Sequence, residues 1–359
     1  MTEFVKTRVA RGTGIITLDR PRSLNSLSLD MVRALTETLL AWCDDDQVQA
    51  VVLTSSSEKA LCAGGDIRFF YEAGRATPTG GSALLEDFFT EEYALNHLIH
   101  FYPKPYISFM DGVVMGGGMG IAQGSLRIAT DRTKMAMPEV NIGLFPDVGG
   151  SHFLSRAPGQ LGHYLGLTGL TIDAADALYI GLADLFIPFS ELSGLHALID
   201  ATNGAALVAA LRDFAAPFAG QAGESTLRAQ RAAIDAHFGA ASVPAVMDSL
   251  GRDGGAFAQA ALTAMKLRSP IMMSVTRAML VRAVGMDVAA CLRMERDLVR
   301  RTFDHGEVIE GVRALVIDKD NAPRWNPASL GDVSDAMVDG FFAPVWPRHA
   351  HPLRDLQDA

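Results

Sequence analysis

Cysteine is scarce in this chain of 359 residues. Cys43, Cys62 and Cys291 are the only three. They are odd in number and far apart, so they lay out neither a disulfide framework nor a metal-ligand spacing. They read as small buried hydrophobes of a reducing compartment. Positive charge is in deficit as well: 31 Lys and Arg stand against 41 Asp and Glu, a formal net charge of −10. An acidic chain repels nucleic acid and anionic membrane, which argues against a phosphate-backbone partner. A phosphorylated small molecule needs only local basic groups and stays open. Long hydrophobic runs are missing too. The longest uncharged stretch follows Asp111, and its glycines make it a poor membrane helix. Near the N-terminus there is neither a basic-then-apolar signal segment nor an arginine-rich presequence. The expected location is the cytoplasm, and a mature organellar form would look the same. The histidines, among them His97, His100, His163 and His305, are paired with no serine or cysteine nucleophile and form no dense metal-binding cluster.

What is present is apolar and patterned. The chain is 49% apolar and 20% charged, enough for a large core. Residues 15–18 and 50–53 are short apolar runs, and 106–110 and 126–129 read as further strands. Between the first two, Ser28 is a good N-cap, and Val32, Leu35, Leu39 and Trp42 recur at helical spacing. A second helix is expected over about 84–99. Strands alternating with helices imply an α/β fold. The spacing often puts two short strands before a helix, unlike the regular alternation of a dinucleotide-binding fold. After residue 188 the character changes. Residues 195–264 are alanine-rich and helical in period, broken at 220–223 and 251–255, and 280–303 is one strong amphipathic helical stretch. The tail after Pro323 is loop-like with a short final helix. Residues 1–188 therefore read as a catalytic core, and 189–359 as a helical region folding over it.

Three segments could carry chemistry. Ala63-Gly64-Gly65-Asp66 is a glycine turn in which Asp66 can cap the following helix. On its own it is equally a plain strand-to-helix turn. Met115-Gly116-Gly117-Gly118-Met119-Gly120 has four glycines in five positions, each costing ~1 kcal/mol in a helix relative to alanine. Either close packing or a ligand against the backbone must need the missing side chains. No Gly-Lys-Ser/Thr follows, and the dinucleotide fingerprint does not line up. Amides from two such turns can converge on one oxygen, the design of an oxyanion hole. The third segment, 137–150, holds Glu139 and Asp147 among prolines, glycines and apolar residues. An apolar setting raises a carboxyl's pKa toward the range useful for proton transfer. Asp147 could instead cap a helix starting near Gly150, and Glu139 could be an exposed loop acid.

In this order the segments resemble the enoyl-CoA hydratase/isomerase (crotonase) superfamily. The match includes residues 19–27, Ala63-Gly64-Gly65-Asp66-Ile67, the triplet at 116–118, Pro138-Glu139, Leu167-Thr168-Gly169 and Gly181-Leu182-Ala183-Asp184. Glu91-Glu92-Tyr93, the run 143–150, and 307–314 with 317–320 bring it nearest to the branch that hydrolyses 3-hydroxyacyl-CoA thioesters. The resemblance implies a crotonase-like spiral of strand–strand–helix units with an α-helical C-terminal region. It implies an oxyanion hole from the amides of Gly65 and Gly117 or Gly116, and catalytic acids at Glu139 and Asp147. Glu91 falls at a substrate-binding position, Arg22 near the coenzyme A phosphates, and Ala63 and Asp66 beside the substrate. Glu139 would act as general base or as nucleophile, and Asp147 would bind the substrate hydroxyl. The implied substrate is an acyl-CoA, foremost 3-hydroxyisobutyryl-CoA of valine breakdown. No metal and no cofactor are expected, because coenzyme A arrives with the substrate. A homo-oligomer is compatible with the superfamily. Hydratases carry a second glutamate after the glycine triplet, where this chain has Gly120. That departure puts hydratase or isomerase chemistry in doubt without removing it as the alternative. A non-catalytic binding or assembly protein is a further one.

Overall fold

The computed structural model describes residues 2–77 and 81–358. Strand β1 (Val5–Ala10) pairs antiparallel with β2 (Thr13–Leu18). Helix α1 (Leu29–Cys43) follows, its N-terminus capped by the Ser28 side chain accepting from the Met31 amide. The chain then repeats one unit three times. β3 (Ala50–Ser55) and β4 (Ala60–Cys62) precede α2 (Ile67–Ala76) and α3 (Ala83–His100). β5 (Tyr106–Met110) and β6 (Val113–Met115) precede α4 (Gly117–Ala122). β7 (Leu126–Ala129) and β8 (Lys134–Ala136) precede a 3-10 turn, Glu139–Ile142. β9 (Leu185–Phe186) is the last strand among the described residues.

The first strand of each unit enters a six-stranded sheet of order β1-β2-β3-β5-β7-β9, and the second enters a three-stranded sheet, β4-β6-β8. Beyond β1 the pairings among these strands are parallel. Two sheets fed alternately by consecutive strands make the spiral that the family resemblance implied.

The parallel strands of the large sheet are largely apolar on both faces, as strands between two layers must be, while the antiparallel edge strand β1 is mostly exposed. On β3, Val51 and Leu53 join the main core, whereas Ala50 and Val52 face a second cluster with Ile107, Phe109, Leu126 and Ile128. Leu195, Ile199, Leu207 and Leu211, from helices Leu192–Ala201 and Leu207–Ala215, close that second cluster. Later helices pack on the first. Pro270–Ala283 lies against α5 (Gly150–Ser155), and Val288–His305 lies against both α3 and α5.

The stretch expected as one helix over 280–303 is two. Gly285 takes φ +81°, and Asp287 caps the second helix by accepting from the Ala290 amide. Among the described residues no helix is long and apolar enough to cross a membrane.

Candidate active site

Each strand of the small sheet ends at one wall of a cavity. β4 runs into Ala63-Gly64-Gly65, β6 into Gly116-Gly117, and β8 into Met137-Pro138-Glu139. Adjacent parallel strands set their C-terminal turns side by side, where open α/β sheets bind ligands. The Leu27 amide donates to Gly64 O at 2.8 Å, and the Asp66 amide to Leu27 O at 3.0 Å, which anchors the first turn. The Gly116 amide donates to Ala136 O at 3.2 Å, which anchors the second.

Glycine is needed in both turns for backbone and for space. Gly64 has φ +101° and Gly116 φ +50°. A Cβ on Gly64 would lie 3.5 Å from the Gly117 nitrogen, and one on Gly117 would lie 3.4 Å from the Gly65 nitrogen, so the two turns touch. A Cβ on Gly117 would also come within 2.5 Å of Glu92 Oε1, and one on Gly116 within 2.6 Å of Glu139 Oε1. The space left by the absent side chains lies directly against two carboxyls. Among the described residues the Gly65 and Gly117 amides have no hydrogen-bond acceptor.

The cavity has a volume of about 140 Å³. Its wall is apolar at Ile67, Phe70, Phe89, Leu144 and Leu315, and it holds three carboxyls: Glu92, Glu139 and Asp147. They are 2%, 6% and 5% exposed. The Tyr93 hydroxyl donates to Asp147 Oδ2 at 2.7 Å. Glu92 Oε1 and Glu139 Oε2 are buried without a partner, a state that costs free energy unless a ligand fills it. Burial, then the neighbouring Asp147, drives Glu92 and Glu139 well above the usual carboxylate range. Burial pushes Asp147 up to about 6, partly opposed by the Tyr93 hydrogen bond. The set therefore keeps protons to hand near neutral pH and can exchange them with a bound molecule.

Gly65, Gly116, Gly117, Ala63, Glu139 and Asp147 all line this cavity. Three other sequence candidates do not. Arg22 is exposed in the turn Pro21–Ser23. Asp66 caps α2 by accepting from the Phe69 amide and pairs with Arg20 at 2.9 Å. Glu91 faces α1, where Arg33 Nε and Nη2 donate to it at 2.8 and 2.6 Å. The carboxyl of α3 that enters the cavity is the next one, Glu92. Helical register decides this: Leu85, Phe88, Phe89, Glu92, Leu95, Asn96 and Ile99 form the buried face, and residue 91 lies outside it. That period was readable, but a glutamate on the apolar stripe of a helix runs against expectation. The helix-cap reading of Asp147 also fails, since its side chain caps nothing and the N-cap of α5 is Gly149. Glu139 is buried rather than an exposed loop acid. Among the described residues no group of three or more His, Cys, Asp or Glu is placed to hold a metal ion.

A family model described as enoyl-CoA hydratase/isomerase matches residues 13–342. A curated relative from Danio rerio, named 3-hydroxyisobutyryl-CoA hydrolase, mitochondrial, is 39% identical over 92% of this chain and 87% of its own length. Among solved structures, one titled carnitinyl-CoA dehydratase from Mycobacterium thermoresistibile is 40% identical with a TM-score of 0.90, covering 96% of this chain and 98% of that one. One titled enoyl-CoA hydratase from Rhodobacter sphaeroides 2.4.1 is 34% identical with a TM-score of 0.86, with the same coverage.

Proposed function

This chain belongs to the enoyl-CoA hydratase/isomerase family, and from that membership and the cavity just described we propose that it hydrolyses the thioester of a 3-hydroxyacyl-CoA, foremost 3-hydroxyisobutyryl-CoA. The carrying observation is the convergence of Glu92, Glu139 and Asp147 on one cavity beside two unbonded amides.

The amides of Gly65 and Gly117 form the oxyanion hole. They polarise the thioester carbonyl and hold the charge that develops on its oxygen, an effect of ~3–4 kcal/mol per donor in comparable sites. Glu139 in its ionised form, a stronger base for being buried, takes a proton from water as the water oxygen bonds to the carbonyl carbon. The tetrahedral intermediate then collapses, the carbon–sulfur bond breaks, and the proton passes from Glu139 to the departing sulfur. The products are a free 3-hydroxy acid and coenzyme A with its thiol. Asp147, fixed by Tyr93, receives the substrate's 3-hydroxyl. Glu92 lines the cavity beside Gly117. The reaction as written needs no further cofactor. It corresponds to the step of valine breakdown that releases 3-hydroxyisobutyrate.

Two of the solved relatives carry hydratase or dehydratase titles, so addition of water to a double bond is the competing reading. Position 120 weighs against it. A Cβ on Gly120 would lie 2.7 Å from Asn96 Nδ2 and 2.8 Å from Val148 Cβ, which leaves no room there for a second glutamate. The test is a panel of short acyl-CoAs followed by thiol release, with crotonyl-CoA followed by loss of its conjugated absorbance. Thiol release from 3-hydroxyisobutyryl-CoA with little change in crotonyl-CoA supports the proposal. Rapid crotonyl-CoA hydration without thiol release overturns it.

A further inference from the structure

Asp147 stands on a strained loop, closed by the Gly150 amide donating to Asp147 O at 2.7 Å. The two residues after it, Val148 and Gly149, have φ +53° and +86°. For a β-branched residue such as Val148 that region is costly, and it persists only where the surroundings impose it. The group that imposes it comes from the helical region. Glu295, on helix Val288–His305, is fully buried. Its Oε2 accepts from the Gly149 amide at 2.8 Å, and its Oε1 accepts from the Ser151 amide at 2.9 Å and the Ser151 hydroxyl at 2.5 Å. Among the described residues no Lys, Arg or His forms an ion pair with it. A buried carboxyl without a cation is expensive, and here the three hydrogen bonds it accepts all come from the loop behind Asp147. Burial raises its pKa to about 8.

The next residue grips a second element. Arg296, 1% exposed, donates to Thr90 Oγ1 at 3.0 Å and pairs with the Glu86 carboxylate. Both partners are on α3, the helix that carries Glu92 and Tyr93. One turn of a helix remote in sequence thus grips both elements that flank the Asp147 carboxyl.

We propose that Glu295 is a positioning residue, which holds the 147–151 loop so that Asp147 stays against Tyr93 and inside the cavity with Glu139. The proposal rests on the reading of Asp147 as a substrate-contacting group. Glu295 itself touches no substrate.

The test is a double-mutant cycle on thiol release from 3-hydroxyisobutyryl-CoA with the full-length chain: wild type, E295Q, D147N and the double variant. Glutamine keeps the size but turns an NH2 toward one of two amide donors that a carboxyl satisfies together. A displacement of Asp147 by about 1 Å should lower kcat on the order of 10²-fold with KM little changed. In the D147N background the same substitution should cost no more than about twofold, since placing a disabled group no longer matters. Equal losses in both backgrounds, or a lowered Tm with wild-type kcat, overturn the proposal and leave Glu295 as a plain cap of α5. If E295Q does not fold, S151A enters the same cycle, because it removes one donor and keeps both amides. A kcat loss confined to the Asp147 background supports the proposal, and no loss or additive loss overturns it. Wild-type turnover in D147N alone overturns the reading of Asp147, and shows this whatever Glu295 does.

Discussion

Glu139→Gln keeps the side chain's size and removes the group that can take a proton. We expect kcat for thiol release to fall by on the order of 10²–10⁴-fold, with the circular dichroism spectrum and coenzyme A affinity unchanged. Full thioesterase activity in that variant would show that the proton goes elsewhere. Tyr93 gives a prediction with a sign. Its hydroxyl donates to the Asp147 carboxylate, and a hydrogen bond to the charged form lowers a pKa. Tyr93→Phe should therefore raise Asp147 above its present value of about 6. The acid limb of the kcat/KM profile then moves to higher pH. The limb reports the coupled carboxyl set and not one residue, but the direction of movement is the same. A limb that stays in place, or moves to lower pH, contradicts the assignment of that bond.

Helix α3 shows how an element sorts adjacent residues. Glu91 and Glu92 are chemically identical, yet one meets Arg33 at the surface and the other meets Gly117 in the cavity. Glu91→Ala should leave turnover near wild type, whereas Glu92→Gln should lower it or raise KM. The reverse result would mean that α3 is rotated by about 100° from the register described. Helix α4 makes a complementary case. Gly120 packs against Asn96 and Val148, so Gly120→Glu should not create crotonyl-CoA hydratase activity. Overpacking of this kind destabilises by ~1–3 kcal/mol, visible as a lower midpoint in urea. A gain of hydration at wild-type stability would mean the site has more room than the packing shows.

Across the whole molecule, several buried carboxyls and histidines shift in opposite senses. Glu295, Asp147, Glu92 and Glu139 are raised by burial. The folded chain therefore holds protons that the unfolded chain sheds near pH ~4. Their contribution to stability is full below that pH and is lost as pH rises through the folded values, which reach about 8 at Glu295. His97, His100, His152, His163, His305 and His351 are lowered, all chiefly by burial. They act in the other direction, with stability rising as pH climbs to ~6.5. Above that point the histidines are neutral in both states and the carboxyls alone set the slope. Tm should fall between pH ~6.5 and ~8, and E295Q should flatten the fall. A Tm that is level or rising over that interval in the wild type contradicts these burial-driven shifts.

The sequence by itself determined whatever depends on a few neighbouring residues. Four glycines in five positions demand a close backbone approach, Ser28 and Asp66 cap the helices after them, and the family resemblance implies a spiral that the paired short strands fit. Glu139 and Asp147 were legible because prolines, glycines and apolar residues surround them locally. The tertiary structure alone decided the rest. Asp147 could not be told from a helix cap until Tyr93, 54 residues earlier, was seen to donate to it. Glu295 lies 146 residues from the amide it accepts from, beyond the reach of any pattern in the chain. The reason is physical: conformation and capping follow from adjacent dihedrals, whereas burial, carboxyl pKa and the satisfaction of buried polar atoms depend on which distant segments pack together.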